Sequence, residues 1–371
     1  MSEIIDVIIV GAGVNGCAIA RQLSLEGKRV VLLECNEIGC GTSSNSSKLI
    51  HGGLRYLENM QFAVVQESLK DRKRLLEMYP DLVEMVPFYL PVYKGSLRPC
   101  WMIRTGLGLY DLFSRQPEYH CRTIANDDFF NKFSGIKSEG LKKVFVYYDG
   151  KTNDLKLTQR LAQDASSAGC MIQEHCLISA IELADDGIEV SCEDKDGKHY
   201  LKAPLLINAT GPWIDEVNNM YGLPHNYRIA KVSGIHIVID RKLVPDCMFL
   251  QTENKRIFFM IPWEEDKTII GTTERMESGR CDEVQINQED IEYLIECANR
   301  YLNVPIKRGD IYDTFLGIRP LVMDKNAPDA TSMSREYKID VVSKGKSKVI
   351  HVYGGKLTTC LSMAEKVATR I

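Results

Sequence analysis

The chain has 371 residues, 44% apolar and 26% charged, with 46 Lys and Arg against 50 Asp and Glu for a net charge of −4. That length exceeds what one hydrophobic core usually supports, so two domains are expected, and the acidic balance gives no electrostatic footing for nucleic acid. No run approaches the ~20 apolar residues of a membrane-spanning helix, and Glu3 and Asp6 stand where a signal peptide would be basic.

Val7 to Val10 is an apolar run that reads as a strand, followed at once by Gly11-Ala12-Gly13-Val14-Asn15-Gly16. A helix over residues 14–26 puts Val14, Cys17, Ala18, Ile19 and Leu23 towards one side and stops at Gly27. A second apolar run, Val30 to Leu33, ends at Glu34. Strand, glycine turn, helix, strand and acid in this order form the dinucleotide fingerprint. Gly11 allows the turn, Gly13 lets a pyrophosphate approach, Gly16 lets the helix pack close, and Glu34 accepts ribose hydroxyls; the helix start offers unpaired N–H groups to phosphate.

From Glu37 to Gly53 the chain turns to Gly, Ser, Thr and Asn, a length of loop that is uncommon unless functional. A charged helix is expected from Phe62 to Met78, stopped by Pro80, then extended or turning chain from Pro87 to Pro99 and a short helix from Gly106 to Phe113. Leu141–Tyr148 reads as a strand. Asp154 reads as the N-cap of a helix bearing Leu157, Leu161, Ala162 and Ala165 and ending at Gly169. Met171–Leu177 and Gly187–Cys192 read as strands, and Leu205 to Gly211 as a buried parallel strand ending beside a ligand. Beyond Tyr221 a second sheet is expected from Ile235–Ile239, Arg256–Ile261, Lys267–Ile270 and Ile311–Phe315, under a helix whose stripe is Ile291, Leu294, Ile295, Ala298 and Leu302. Val349–Tyr353 is a last strand, with a glycine turn and a helix from about Leu357.

The expected fold is α/β. A discontinuous Rossmann-like dinucleotide-binding domain (residues 1–78, 143–225 and 345–371) carries an inserted α+β substrate domain on an antiparallel or mixed sheet (79–142 and 226–344). The twelve cysteines are scattered, without a CxxC pair or zinc-type spacing, so reduced thiols facing a cytosol are expected and no metal site is.

Thr42-Ser43-Ser44-Asn45-Ser46-Ser47-Lys48-Leu49-Ile50-His51-Gly52-Gly53-Leu54-Arg55-Tyr56-Leu57 is the most specific stretch. Together with Asn208 to Trp213, Gly271-Thr272-Thr273, Gly317-Ile318-Arg319-Pro320-Leu321 and Gly354 to Thr359, it closely resembles the FAD-dependent glycerol-3-phosphate dehydrogenases of the D-amino-acid-oxidase-like flavoproteins. The resemblance runs from the first strand to the final helix. It implies an extended FAD, oxidation of sn-glycerol 3-phosphate to dihydroxyacetone phosphate, and passage of electrons to a quinone or to oxygen. It also implies a cytoplasmic protein with peripheral contact to the inner face of the cytoplasmic membrane, and the mixed apolar and basic segment Leu97 to Arg104 is a candidate for that contact.

On the resembling positions, the implied cofactor residues beyond the fingerprint are Asn15, Thr42, Ser43, Ser46, Ser47, Lys48, Leu49, His51 and Gly52. Ala209, Gly211, Trp213, Gly317, Gly355, Lys356, Leu357 and Thr358 complete them. A phosphate-bearing substrate needs basic side chains, and Arg55, Arg319, Arg335 and Lys356 are the candidates, with Tyr56 and Thr272 beside them. Arg319 stands between Ile318 and Pro320 in an apolar run, where a merely solvated charge is a poor explanation. For the proton acceptor His51 and His236 are the candidates, each beside glycine in a motif segment; either also reads as packing. His51, His236, Arg319 and Lys356 form the catalytic set.

The chain departs from the resembled pattern at Glu274, where Asp is common, and at Cys360-Leu361, where Tyr-Arg is common. Relatives commonly add a helical C-terminal domain beyond the position of Ile371. A related flavoprotein acting on a small hydroxy or amino acid, and a non-catalytic flavin-binding protein, are the alternatives. An NAD(P) dehydrogenase has no use for the Ser-rich loop.

Overall fold

The computed structural model describes residues 5–254, 256–324 and 336–371. β1 (Val7–Val10), α1 (Val14–Leu25) and β2 (Val30–Leu33) open the fold, and every residue of both strands is buried. α1 packs so close to the preceding turn that a Cβ on Gly16 would lie 1.9 Å from the Gly11 carbonyl oxygen, which leaves glycine alone at that position.

The loop that follows contains one short strand, β3 (Leu49–Ile50), and leads into α2 (Phe62–Met78) and β4 (Val83–Tyr93). α3 (Cys100–Ser114) starts six residues before the expected Gly106, so Trp101 to Arg104 are its first turn rather than a loop. β5 (Arg122–Ile124), α4 (Asn126–Lys132) and β6 (Leu141–Thr152) come next. The cap of α5 (Asp154–Ser167) is Asn153, whose side chain accepts the Lys156 amide at 3.0 Å. Asp154, expected as that cap, is the first helical residue and is buried.

β7 (Met171–Gln173) is shorter than the expected strand, and β8 (Leu177–Ala184), β9 (Gly187–Asp194) and β10 (Gly197–Ala203) make a separate antiparallel sheet. β11 (Leu205–Asn208) and α6 (Ile214–Met220) follow. The later chain gives β12 (Tyr227–Ile239), β13 (Cys247–Gln251), β14 (Ile257–Trp263), β15 (Lys267–Gly271), β16 (Arg275–Glu277) and α7 (Gln288–Asn299). β17 (Ile311–Asp324), β18 (Lys338–Lys344), β19 (Ser347–Tyr353) and α8 (Cys360–Ala368) complete it.

A six-stranded sheet has the order β18-β19-β11-β1-β2-β7, parallel apart from the antiparallel β18. α1, α5 and α8 bury Ile19, Leu161 and Met363 on one face, and the β8–β10 sheet covers Ile8, Val31 and Leu206 on the other. The ten-stranded sheet runs β16-β12-β15-β14-β13-β4-β6-β3, with β17 on β12 and β5 on β6. It is mixed, since β13 runs parallel to β4. α7 and α4 cover one face through Leu294, Ile295, Phe129 and Phe133; α2 and α3 meet the other through Leu69, Leu107 and Tyr110.

Sheet membership departs from the sequence boundaries in three places, the first being β3, which lies within residues 1–78 yet pairs with β6 in the ten-stranded sheet. Residues 143–152, placed with the nucleotide half, lie in β6 of the ten-stranded sheet, and 338–344, placed with the substrate half, form the edge of the six-stranded one. Among the described residues no helix is long and apolar enough to cross a membrane.

Candidate active site

A cleft of about 990 Å³ runs from the ends of β1 and β2 to the face of the ten-stranded sheet. Its first half is built by the glycine turn after β1, by Glu34 after β2 and by Ala209-Thr210-Gly211 after β11. These are the carboxyl ends of parallel strands, where open α/β sheets bind ligands. Glu34 Oε2 accepts the Ala12 amide at 2.7 Å and Oε1 the Asn36 amide at 3.0 Å, which fixes the carboxylate while leaving further lone pairs. Trp213 lies over Gly41 and donates its indole N–H to Asp282 at 3.0 Å.

The Ser-rich loop crosses the middle of the cleft, and its hydroxyls are mostly spent on the protein. Thr42 Oγ1 donates to the Ile318 carbonyl at 2.9 Å, and Ser43 Oγ accepts the Val14 amide at 2.9 Å. Ser46 Oγ donates to Asp154 at 2.7 Å, and Ser47 Oγ pairs with His236 Nε2 at 2.8 Å. They give the loop its shape. β17 lies against it so closely that a Cβ on Gly317 would stand 2.4 Å from the Asn45 carbonyl oxygen.

Three cations reach the cleft from distant segments. Arg319 of β17 donates to Thr272 Oγ1 at 2.9 Å and to the Thr273 carbonyl at 3.3 Å. Lys356 Nζ lies 4.0 Å over the Tyr56 ring. Arg55 is 3.9 Å from Glu274. His51 lines the same cleft, its amide donating to Thr358 Oγ1 at 3.1 Å. Phe88, Tyr147, Phe249 and Phe259 form an aromatic wall, Phe249 and Phe259 meeting edge to face at 5.5 Å.

The two histidines differ. His236 is 2% exposed, stacked on Phe315 at 4.7 Å and bonded to Ser47. Burial, and after it the charges of Arg319 and Lys48, push its pKa down to about 3. It is neutral at working pH and a weak base.

Of the residues expected from sequence, Gly11, Gly13, Asn15, Glu34, Thr42, Ser43, Ser46, Ser47, Leu49 and His51 line this cleft. So do Arg55, Tyr56, Ala209, Gly211, Trp213, His236, Thr272, Gly317, Arg319, Gly355, Lys356, Leu357 and Thr358. Gly16, Lys48 and Gly52 do not: Gly16 sits behind the turn, Lys48 Nζ turns to Asp154 at 2.7 Å, and the Gly52 amide donates to Tyr110 Oη at 2.8 Å. Arg335 lies outside the described residues. Sequence reasoning missed the aromatic wall and Asp149 on the cleft, because each belongs to a strand whose facing only the sheet decides, and Arg256, which just precedes β14.

The cleft suits an extended dinucleotide with a ring system. Asn15 Oδ1 and His236 Nδ1 are buried on its wall without a partner among the described residues, and Glu34 and the glycine turn after β1 line the same cleft as the cations. Among the described residues no cluster of metal-ligating side chains occurs.

Residues 6–370 match the family model described as FAD dependent oxidoreductase, DAO. The chain is 37% identical over 372 residues to an aerobic glycerol-3-phosphate dehydrogenase of Escherichia coli (strain K12), covering 99% of this chain and 73% of the relative. It is 32% identical over 375 residues to a D-erythritol 1-phosphate dehydrogenase of Brucella abortus (strain 2308), covering 100% of this chain and 74% of that one. Its fold is similar to that of a glycerol-3-phosphate dehydrogenase from Bacillus halodurans complexed with FAD, at TM-score 0.78 and 23% identity, over 100% of this chain and 64% of that one.

Proposed function

Since the chain belongs to the DAO family of FAD-dependent oxidoreductases, we propose that it binds FAD in this cleft and oxidises sn-glycerol 3-phosphate to dihydroxyacetone phosphate. The observation that carries the reading is the gathering of Arg55, Arg319 and Lys356 on one cleft with His51, joined through the Arg55–Glu274, Arg319–Thr272 and Lys356–Tyr56 contacts. Positive side chains gathered from three distant segments suit a dianionic group, and arginine forks orient phosphate as well as neutralise it.

FAD, when bound, supplies the acceptor for the hydride that leaves the alcohol carbon. The protein's share is positioning and proton transfer. Arg319, braced by Thr272 and Thr273, and Lys356, braced over Tyr56, hold the phosphate. Arg55 is partly neutralised by Glu274 and guides the hydroxyl end. His51 takes the hydroxyl proton, and His236 holds Ser47 in place. The phenylalanine and tyrosine wall excludes water. Electrons then pass to a quinone or another acceptor, and the exposed side of α3 rests on the cytoplasmic membrane.

The test is anaerobic addition of glycerol 3-phosphate to the holoenzyme. Bleaching of the oxidised flavin's visible absorbance is expected with glycerol 3-phosphate and not with lactate, 2-hydroxyglutarate or glycine. An unbleached flavin with glycerol 3-phosphate refutes the substrate.

A further inference from the structure

The loop from Ser46 to Gly52 carries Ser46, Ser47, Leu49 and His51 on the cleft, and two buried aspartates, Asp154 and the cleft-lining Asp149, anchor it. Asp154, fully buried at the start of α5, accepts the Ser46 amide at 3.0 Å and the Ser46 hydroxyl at 2.7 Å on Oδ2. Its Oδ1 takes the Lys48 ammonium at 2.7 Å, and that ammonium is enclosed by the rings of Trp263 and Phe315 at 5.4 and 5.1 Å. Asp149, 2% exposed at the end of β6, does the same for the other end of the loop. Its Oδ1 accepts Arg72 at 2.8 Å, Tyr110 Oη at 2.5 Å and the Gly52 amide at 3.3 Å. Tyr110 Oη also accepts the Gly52 amide at 2.8 Å. Burial and the Asp149 charge hold the Tyr110 hydroxyl well above its usual pKa, so it keeps the proton it donates.

We propose that Asp149 and Asp154, at the two ends of the β6–α5 corner, are positioning residues that clamp the Ser46–Gly52 loop in its cofactor- and substrate-ready shape. Burying ion pairs is a weak route to stability, because desolvation offsets the attraction. Two buried carboxylates at one corner, Asp154 bonded to Ser46 and Lys48 and Asp149 to the Gly52 amide both directly and through Tyr110, are better accounted for by preorganisation. The Asp154 end shapes the bed of the cofactor, and the Asp149–Tyr110 end sets the peptide that carries His51. The second half of this assignment rests on the proposed function; the first does not.

The test uses the holoenzyme of three variants. Asp154→Asn is expected to weaken FAD binding at least fivefold and to change the visible circular dichroism of bound flavin. Lys48→Met, which touches the clamp and not the cleft, is held to the same fivefold criterion should Asp154→Asn fail to fold. Tyr110→Phe leaves the Arg72–Asp149 pair intact. It is expected to slow anaerobic flavin reduction at saturating glycerol 3-phosphate at least fivefold, with FAD affinity and apparent substrate Kd within twofold of wild type. Variants that fall short of these changes while melting at lower temperature would mark the aspartates as structural and overturn the clamp. If wild-type flavin is not reduced by glycerol 3-phosphate, the proposed function fails, while the FAD affinities still judge the Asp154 end.

Discussion

Arg319 shows how one side chain ties the sequence reading to the chemistry. An arginine in an apolar strand needs partners, and Thr272 and Thr273 supply two; on the proposed reading the substrate phosphate supplies the charge it was placed to meet. Arg319→Ala should lose ~2–5 kcal/mol of binding or transition-state stabilisation, at least ~30-fold in kcat/KM, and an unchanged kcat/KM removes it from the site. His236 gives a second expectation. Its folded pKa of about 3 lies below the ordinary 6.5, and buried His351 is likewise pushed down to about 4. Below pH 6.5 the unfolded chain therefore binds protons that the folded chain refuses. Stability from both groups is complete above pH 6.5 and is lost as pH falls towards 4 and then 3, at ~1.4 kcal/mol per pH unit for each histidine. Urea unfolding across this range should show that slope, and His236→Gln should flatten it by one proton; an unchanged slope contradicts the buried neutral imidazole. A kcat/KM limb above pH 5 does not come from His236, and should survive His236→Gln.

Elements formed from strong apolar periodicity were legible in the residues. β1, β2, β11, β19, α1, α2 and α7 bury the runs that announced them. Those that were missed have weak patterns of their own. β18 is an edge strand with largely exposed or half-buried residues, given its identity by pairing with β19. α6 is only seven residues long, and β8 and β10, on either side of the expected β9, alternate so that one side is left to solvent. The tightest element-scale constraint is the crossing of α1 over its own turn. Gly16→Ala would press a methyl against the Gly11 carbonyl at 1.9 Å, and the strain should cost ~3 kcal/mol or more. A lowered urea midpoint together with loss of FAD binding checks it, and wild-type values for both would contradict the packing.

At the scale of the whole molecule, α3 presents Trp101 and Leu112, 71% and 66% exposed, and Met60 and Leu97 are also exposed. Arg104 and Arg115 stand exposed on the same stretch, a combination that suits an anionic lipid surface. The 371-residue chain should co-sediment with vesicles containing anionic phospholipid at low salt. Trp101→Ala should weaken this without altering flavin reduction in solution, and a chain left wholly in the supernatant refutes the contact. The sequence by itself determined the glycine turn after β1, the acidic residue after β2, the Ser-rich loop and the basic residues, because such features are written in adjacent residues whose backbone geometry and chemistry are local. Tertiary structure alone decided which of them face the cleft. It turned Lys48 to Asp154, spent the loop hydroxyls on the protein, buried His236 as a neutral ring and brought Asp149 behind Gly52. Those outcomes depend on strands pairing across tens to hundreds of residues, and on the desolvation that pairing imposes, neither of which any short stretch of chain encodes.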